Sequence, residues 1–288
     1  MRQNRWIRRK KEKFLKRCMP WWNRFRLMLE WRTRRFLGVT THEGKPDLIV
    51  SLTSYPPRFA TLHLTLKSLL LQRLRPTRLI LWIAHSDADL LPRNVLDLQV
   101  YGVEIRYCED IKSYKKIIPT LESFPDAIIV TADDDVYYWP DWLAELVAAS
   151  RRHPQDIIAH RLHRIRYEGS AIRPYREWML AVVDGTVSPA NFATGIGGVL
   201  YPPGCFHPAV CDRERFMRLC PDADDVWLYW MVRLNGRLVR HSGTKHLPCP
   251  WRGSQSISLW KKNRHRNDDQ IENMISVFGC PWMEQDYS

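Results

Sequence analysis

Apolar and polar positions change rhythm at about residue 47. From there "DLIVSLTSY" is an almost unbroken apolar run that stops at Pro56-Pro57, the pattern of a strand buried on both faces. "TLHLTLKSLLLQRL" follows with Leu62, Leu66, Leu69 and Leu70 at helical spacing. "PTRLILWIAHSDAD" predicts a second strand with a polar end, and "VEIRYCED" a shorter third one. "KKIIPTLESFP" reads as a helix and "DAIIVTADDD" as another strand. This alternation predicts an α/β domain with a mainly parallel sheet covered by helices. In such sheets ligands bind beyond the carboxyl ends of the strands. Three strands end there in polar clusters: Thr53-Ser54-Tyr55, Ser86-Asp87 and Asp133 to Asp135.

The second half is less regular. "WLAELVAASRRHP" predicts a helix ended near Pro154, and "DIIAHRLHRIRY" a strand. "FATGIGGVLYPPG" is a Gly-rich turn entering an apolar strand. "DDVWLYWMVRLNG" is an amphipathic helix with an acidic start and a Gly stop, and "HRNDDQIENMISVF" a last helix capped at Asn267 or Asp268. No internal repeat or low-complexity segment interrupts the 288 residues.

Charge changes the picture of the N-terminus. Residues 1–37 hold 14 of the 44 Lys/Arg and two of the 31 acids, Glu12 and Glu30, which leaves a nearly neutral body of 30 basic and 29 acidic residues. The formal charge of +13 therefore belongs to a basic arm, taken as residues 1–44, and the body as 45–288. Within the arm, apolar residues at 7, 14, 18, 21/22, 25 and 29 recur as on one helical face, and Pro20 separates two short helices. Three readings stand: contact with an anionic membrane surface, packing on its own domain, or RNA binding. No stretch approaches the ~20 apolar residues that span a bilayer, and no secretory signal is visible. Seven Cys without a CxxC pair read as reduced cytoplasmic thiols, so the expected location is peripheral on the inner face of the cell membrane.

The acids carry the candidate chemistry. On a strand, Asp133 and Asp135 share a face while Asp134 turns away. Two hard oxygen donors there suit Mg²⁺ or Mn²⁺, which neutralise a diphosphate. A second acid pair, Asp224-Asp225, opens a helix, where acids also serve as caps.

The stretch "IIVTADDDVYYWPDWL" resembles the DxD segment of GT-A glycosyltransferases, in a bacterial surface-polysaccharide branch. "VSLTSYPPR", "SYKKIIPTL", "TGIGGVLYPP" and "PDADDVWLYWM" resemble further segments of that branch in the same order, from about residue 47 to about 270. The resemblance implies a GT-A, Rossmann-like fold and metal-dependent transfer of a hexose from a nucleotide-diphosphate sugar to a glycan or lipid-linked acceptor, in lipopolysaccharide or capsule assembly. It places Asp135, with Asp133, on the metal. Asp133 and Asp134 would also face the donor, together with Thr53, Tyr55, Arg58 and Asp87 at the base and ribose. Lys115 or Lys116 would meet the phosphates, and Gly197 and Gly198, with Gly195, would let backbone approach the ligand. Asp225 would be the general base of an inverting member and Asp224 an acceptor binder, the family having Glu-Asp more often here. His246, 21 residues beyond Asp225, would complete the metal shell, His241 being the nearer alternative. Trp139, Trp178 and Trp227 are sugar platforms or core. No nucleic acid is expected as a partner. The competing classes, a metal-dependent nuclease or an RNA-binding protein, need a basic stripe that the neutral body does not offer.

Overall fold

A computed structural model describes residues 19–33, 40–41, 46–169, 171–244, 246, 249–254 and 266–281. The first described element is a helix, α1 (19–33), which contains Pro20; a helix before Pro20 would lie outside the described residues. The main elements then follow as β1 (Leu48–Thr53), α2 (Phe59–Leu70), β2 (Arg78–Ala84), β3 (Val103–Cys108) and β4 (Ile128–Ala132). They continue as α3 (Trp142–Arg152), β5 (Ile157–Ala159), β6 (Val199–Tyr201), α4 (Asp224–Leu234), β7 (Val239–His241) and α5 (Arg266–Phe278).

The seven strands form one sheet in the order β7-β5-β6-β4-β1-β2-β3. β1 is parallel to both β2 and β4, β2 to β3, and β5 to β7. Only β6 runs against its neighbours, β4 and β5. The fold is thus a mixed α/β architecture with a mainly parallel central sheet flanked by helices. Alternation along β1 assigns the faces: Leu48, Val50 and Leu52 join Phe59, Leu62, Leu66 and Leu69 of α2 and Trp142, Leu143 and Leu146 of α3. Ile49 points to the opposite face with Ile80, Trp82 and Ile129. On the second-half side of the sheet, Ile157, Ala159 and Val199 meet Trp227 and Trp230 of α4 and Ile271 and Met274 of α5. Each fully buried Leu of α2 contributes about 1.5–3 kcal/mol of burial free energy, an upper bound against a compact unfolded chain.

Several expected elements differ. The strand expected through "DIIAHRLHRIRY" is two, β5 and Leu162–Arg164, in different sheets, because the chain turns at His160-Arg161. The helix expected over "KKIIPTLESFP" is a 3-10 turn, Lys112–Lys116, followed by a short helix, Ile118–Ser123. Asp268 lies inside α5 and its carboxylate accepts from the Tyr175 backbone N–H (2.7 Å), so it ties α5 to the second half. The expected strand ends at Ala132, which puts Asp133 to Asp135 in the turn beyond it. The six described cysteines are free thiols.

Candidate active site

The site is set by strand ends. β1 and β4 are parallel neighbours, so Ser54 and Asp133 emerge on the same edge of the sheet. β6 runs against β4 with Val199 opposite Thr131, which brings the turn before it, Gly195 to Gly198, to that edge as well. The first turn of α4 arrives there from the other half. Tyr114, whose hydroxyl donates to the Cys220 carbonyl (2.7 Å), and the Lys112–Asp222 pair (2.7 Å) lock the turn bearing Lys116 against the approach to α4.

The two acid clusters, about ninety residues apart, meet at one cation. Lys116 Nζ lies 2.8 Å from Asp224 Oδ2 and 3.5 Å from Asp133 Oδ1. The Gly195 backbone N–H donates to both oxygens of Asp225, at 3.0 and 3.1 Å. A Cβ on Gly195 would sit 2.8 Å from Lys116 Nζ, 3.2 Å from Asp225 Oδ1 and 3.5 Å from Asp133 Oδ1. Asp135 is buried and paired with Arg58. Asp134 accepts from the Ser54 hydroxyl (2.5 Å), and its carbonyl accepts from Thr65 (2.8 Å).

The three acids therefore do not sort by strand alternation. They occupy a turn, where each side chain follows its own partner, and Asp134 does not turn to solvent. Burial and the Asp135 charge push Asp134 up to about 7. Burial, opposed in part by Lys116, also raises Asp133. Burial first and Asp224 second push Asp225 up to about 7. Burial opposes the Lys116 ammonium, and Asp224, Asp133 and Asp225 outweigh it, so Lys116 stays charged well above the usual lysine range. Arg58 behaves alike with Asp135 and Asp134.

The remaining expected residues lie as follows. Lys115 is buried and paired with Asp110, so of the two lysines only Lys116 is at the acids. Thr53 donates to the Trp82 carbonyl (2.8 Å), Tyr55 continues from β1 in extended backbone, and Asp87 lies in the turn His85–Leu90 after β2. Gly197 and Gly198 pack on Trp142: its indole N–H donates to the Gly197 carbonyl (2.6 Å), and a Cβ on Gly198 would come within 2.5 Å of the ring. Gly195 is the glycine at the acids. His246 stacks on Trp139 with centroids 3.9 Å apart and has Nε2 3.4 Å from Glu145. His241 donates through Nε2 to the His160 backbone carbonyl (3.0 Å). Trp178 and Trp227 are buried core. Sequence reasoning passed over Ser54 as a site residue, and Tyr138, whose hydroxyl accepts the Asp133 N–H (2.7 Å). It also passed over Arg161, half-buried and close enough for Asp225 and Asp133 to support its charge. Adjacency to the Thr53-Ser54-Tyr55 cluster was the only signal for any of them.

Among the described residues no three His, Cys, Asp or Glu side chains gather as a metal-ligand set. The donor chemistry is still that of a hard ion: five aspartates share the site with Lys116, Arg58 and Arg161. Mg²⁺ is commonly held by one or two carboxylates and completed by substrate phosphates, so Asp133 and Asp135 fit an ion of that kind.

No family profile matches the chain, and no curated protein sequence does. Among solved structures, TarS residues 1–349 from S. aureus superposes with a TM-score of 0.45 at 13% identity, over 81% of this chain and 73% of that one. The same protein in complex with UDP gives 0.43 at 14%, over 70% and 60%. CMP:2-keto-3-deoxy-manno-octonic acid synthetase in complex with CTP gives 0.43 at 10%, over 80% and 99%. Against TarS without that truncation, the chain spans 36% of the length. These likenesses are loose, and the class of the fold rests on the strand order given above.

Proposed function

We propose that this chain is a GT-A-type glycosyltransferase that moves a hexose from a nucleotide-diphosphate sugar to a glycan or lipid-linked acceptor, as in lipopolysaccharide or capsule assembly. The observation that carries the reading is the meeting of Asp133 and Asp224-Asp225 around Lys116 and Gly195, at the carboxyl ends of parallel strands. Glycosyl transfer needs two things there: charge to receive a departing diphosphate and a base for the attacking hydroxyl.

Asp225 suits the base. Its carboxylate is held by the Gly195 N–H and raised to about 7, close to the pH at which a general base is both ionised and proton-accepting. Asp224, fixed by Lys116, would bind the acceptor. Lys116 and Arg58 carry fixed positive charge beside the acids and would stabilise the diphosphate as its charge develops. Thr53, Tyr55, Asp87, Ser54 and Asp134 line or border the strand ends where base and ribose would lie. Asp133 and Asp135 would hold Mg²⁺ or Mn²⁺, which when bound supplies further charge neutralisation to the diphosphate.

A thermal-shift screen of nucleotide-diphosphate sugars, with Mn²⁺ and with EDTA, tests the reading, because a ligand that binds the folded state raises its melting temperature. At least one such donor should stabilise the protein, and more so with Mn²⁺. Asp135→Asn removes a charge with little change of shape but leaves buried Arg58 short of its partner. It should therefore lower the melting temperature of the ligand-free protein and, in the protein that remains folded, abolish the Mn²⁺ increment. A protein stabilised by none of the donors, or a variant with an undiminished Mn²⁺ increment, would count against the proposal.

A further inference from the structure

Helix α1 has two apolar faces, and among the described residues only one of them is covered. At about 100° per residue, positions four apart share a face. Asn23 and Leu27 are buried, and Trp31 continues their line. Leu27 packs with Leu64, Tyr137, Cys249 and Trp251, while Trp31 meets Tyr101 edge-on with centroids 4.9 Å apart. That face ties the helix to the domain. On the opposite face Trp21, Phe25 and Leu29 stand in line with Trp22 and Met28 beside them, and all five are between 41% and 65% exposed. Among the described residues, none of these five side chains belongs to a hydrophobic core cluster.

What surrounds the stripe identifies its partner. Arg24 falls on one flank and Arg26 on the other, and Arg32 continues the Trp21–Phe25–Met28 row. Arg252 lies over the Trp21 ring at 5.2 Å. The helix's one acid, Glu30, is neutralised by Arg26 at 2.7 Å. We infer that this face of α1 seats the protein on an anionic lipid surface, with Trp21, Trp22, Phe25, Met28 and Leu29 at headgroup depth and the flanking arginines on lipid phosphates. A nucleic-acid partner would use the arginines and leave the stripe in water. A second copy would bring the same arginines against each other.

The face of α1 that packs on the domain is linked to the acids by one residue. Leu27 packs on Trp251, whose backbone N–H donates to the Asp135 carbonyl (2.8 Å) and whose indole donates to Thr65, which in turn holds the Asp134 carbonyl. The inference stands on α1 alone and holds whatever reaction the site performs.

The test uses the full chain with phosphatidylcholine vesicles, with and without phosphatidylglycerol, in a flotation assay at low salt. The protein should float with the phosphatidylglycerol vesicles and stay behind with phosphatidylcholine alone. A triple variant, Trp22→Ser with Phe25→Ser and Leu29→Ser, keeps every basic residue and changes only exposed positions. It should lose at least ~10-fold in partitioning with an unaltered melting temperature, the apolar face being a main source of interfacial affinity. Undiminished flotation of that variant would overturn the proposal, since basic residues would then suffice, as would equal binding to both vesicle types or none to either. So would a wild-type dimer in light scattering that the triple variant converts to a monomer, because the stripe would then belong to a second copy.

Discussion

Lys116 sits where two distant segments would otherwise repel. It is 7% exposed, and its ammonium touches Asp224 and approaches Asp133. Removing one partner of a buried ion pair leaves uncompensated charge, at a loss of about 3–5 kcal/mol. Lys116→Met should lose stability on that scale near neutral pH and recover part of it in mild acid, as the freed carboxylates take up protons. Urea unfolding at two pH values reads this directly, and an equal loss at both would mean that the lysine stem, not its charge, matters. Asp225 tests chemistry more than stability. If it is the base, Asp225→Asn lowers kcat at least ~100-fold while donor affinity stays near wild type. Asn accepts the Gly195 N–H as well as Asp does, so the fold should survive. Asp224→Asn separates the neighbours: a large loss of kcat there alone would move the base one residue back.

At the scale of elements, the turn before β6 decides how the halves meet. Gly198 has φ of 99° and no room for a Cβ, which would come within 2.5 Å of the Trp142 ring. Left-handed backbone and overpacking together make Gly198→Ala lose about 2–4 kcal/mol. Gly195→Ala differs, because its Cβ meets the flexible end of Lys116 at 2.8 Å. That variant should melt near wild type yet turn over slowly, with Lys116 displaced from Asp133 and Asp224. Reversed phenotypes, Gly198 tolerant and Gly195 unstable, would mean that other contacts hold this turn. The same elements show what was legible in the sequence. β1, β2 and β4 were readable because buried parallel strands are continuous apolar runs, and α2 because its leucines repeat at helical spacing. The placement of Asp133 to Asp135 was not: an apolar run does not say where pairing stops, and a turn has no fixed side-chain period. Nor could local pattern choose Lys116 over Lys115, or Gly195 over Gly198. Those choices follow from contacts between segments far apart in the sequence, Lys116 with Asp224 and Gly195 with Asp225. In α1 the apolar recurrence was visible, but not that Asn23 and Leu27 face inward while Trp22 and Phe25 face out.

Across the whole molecule, buried ionisable groups pull stability in opposite directions. Burial lowers His160 to about 3 and His163 to about 4, and lowers His63 and His241 as well. The unfolded chain binds those protons at about pH 6.5 and the folded one does not, so these histidines lose stability as pH falls below about 6.5. Asp134 and Asp225, raised to about 7, do the reverse. The folded state keeps their protons while the unfolded chain has released them above about pH 4, so their contribution declines as pH rises and is fully lost above about 7. Between about pH 4 and 6.5 the two sets oppose each other, and above it only the aspartates remain. The ligand-free protein should therefore melt at falling temperature as pH rises past about 6.5, levelling off once pH exceeds about 7. Asp225→Asn removes one of the responsible groups: its melting temperature should match wild type near pH 4, exceed it increasingly up to about pH 7 and keep that lead above it. The gap at pH 8 is on the order of a few kcal/mol, since a tenfold change in proton affinity corresponds to about 1.4 kcal/mol. A gap that stays constant with pH, or a variant less stable than wild type at pH 8, would mean that Asp225 is ionised without penalty in the folded protein. The raised carboxylate that makes it a base near neutral pH would then be absent, and the same melting curves would weaken the catalytic assignment before any substrate is known.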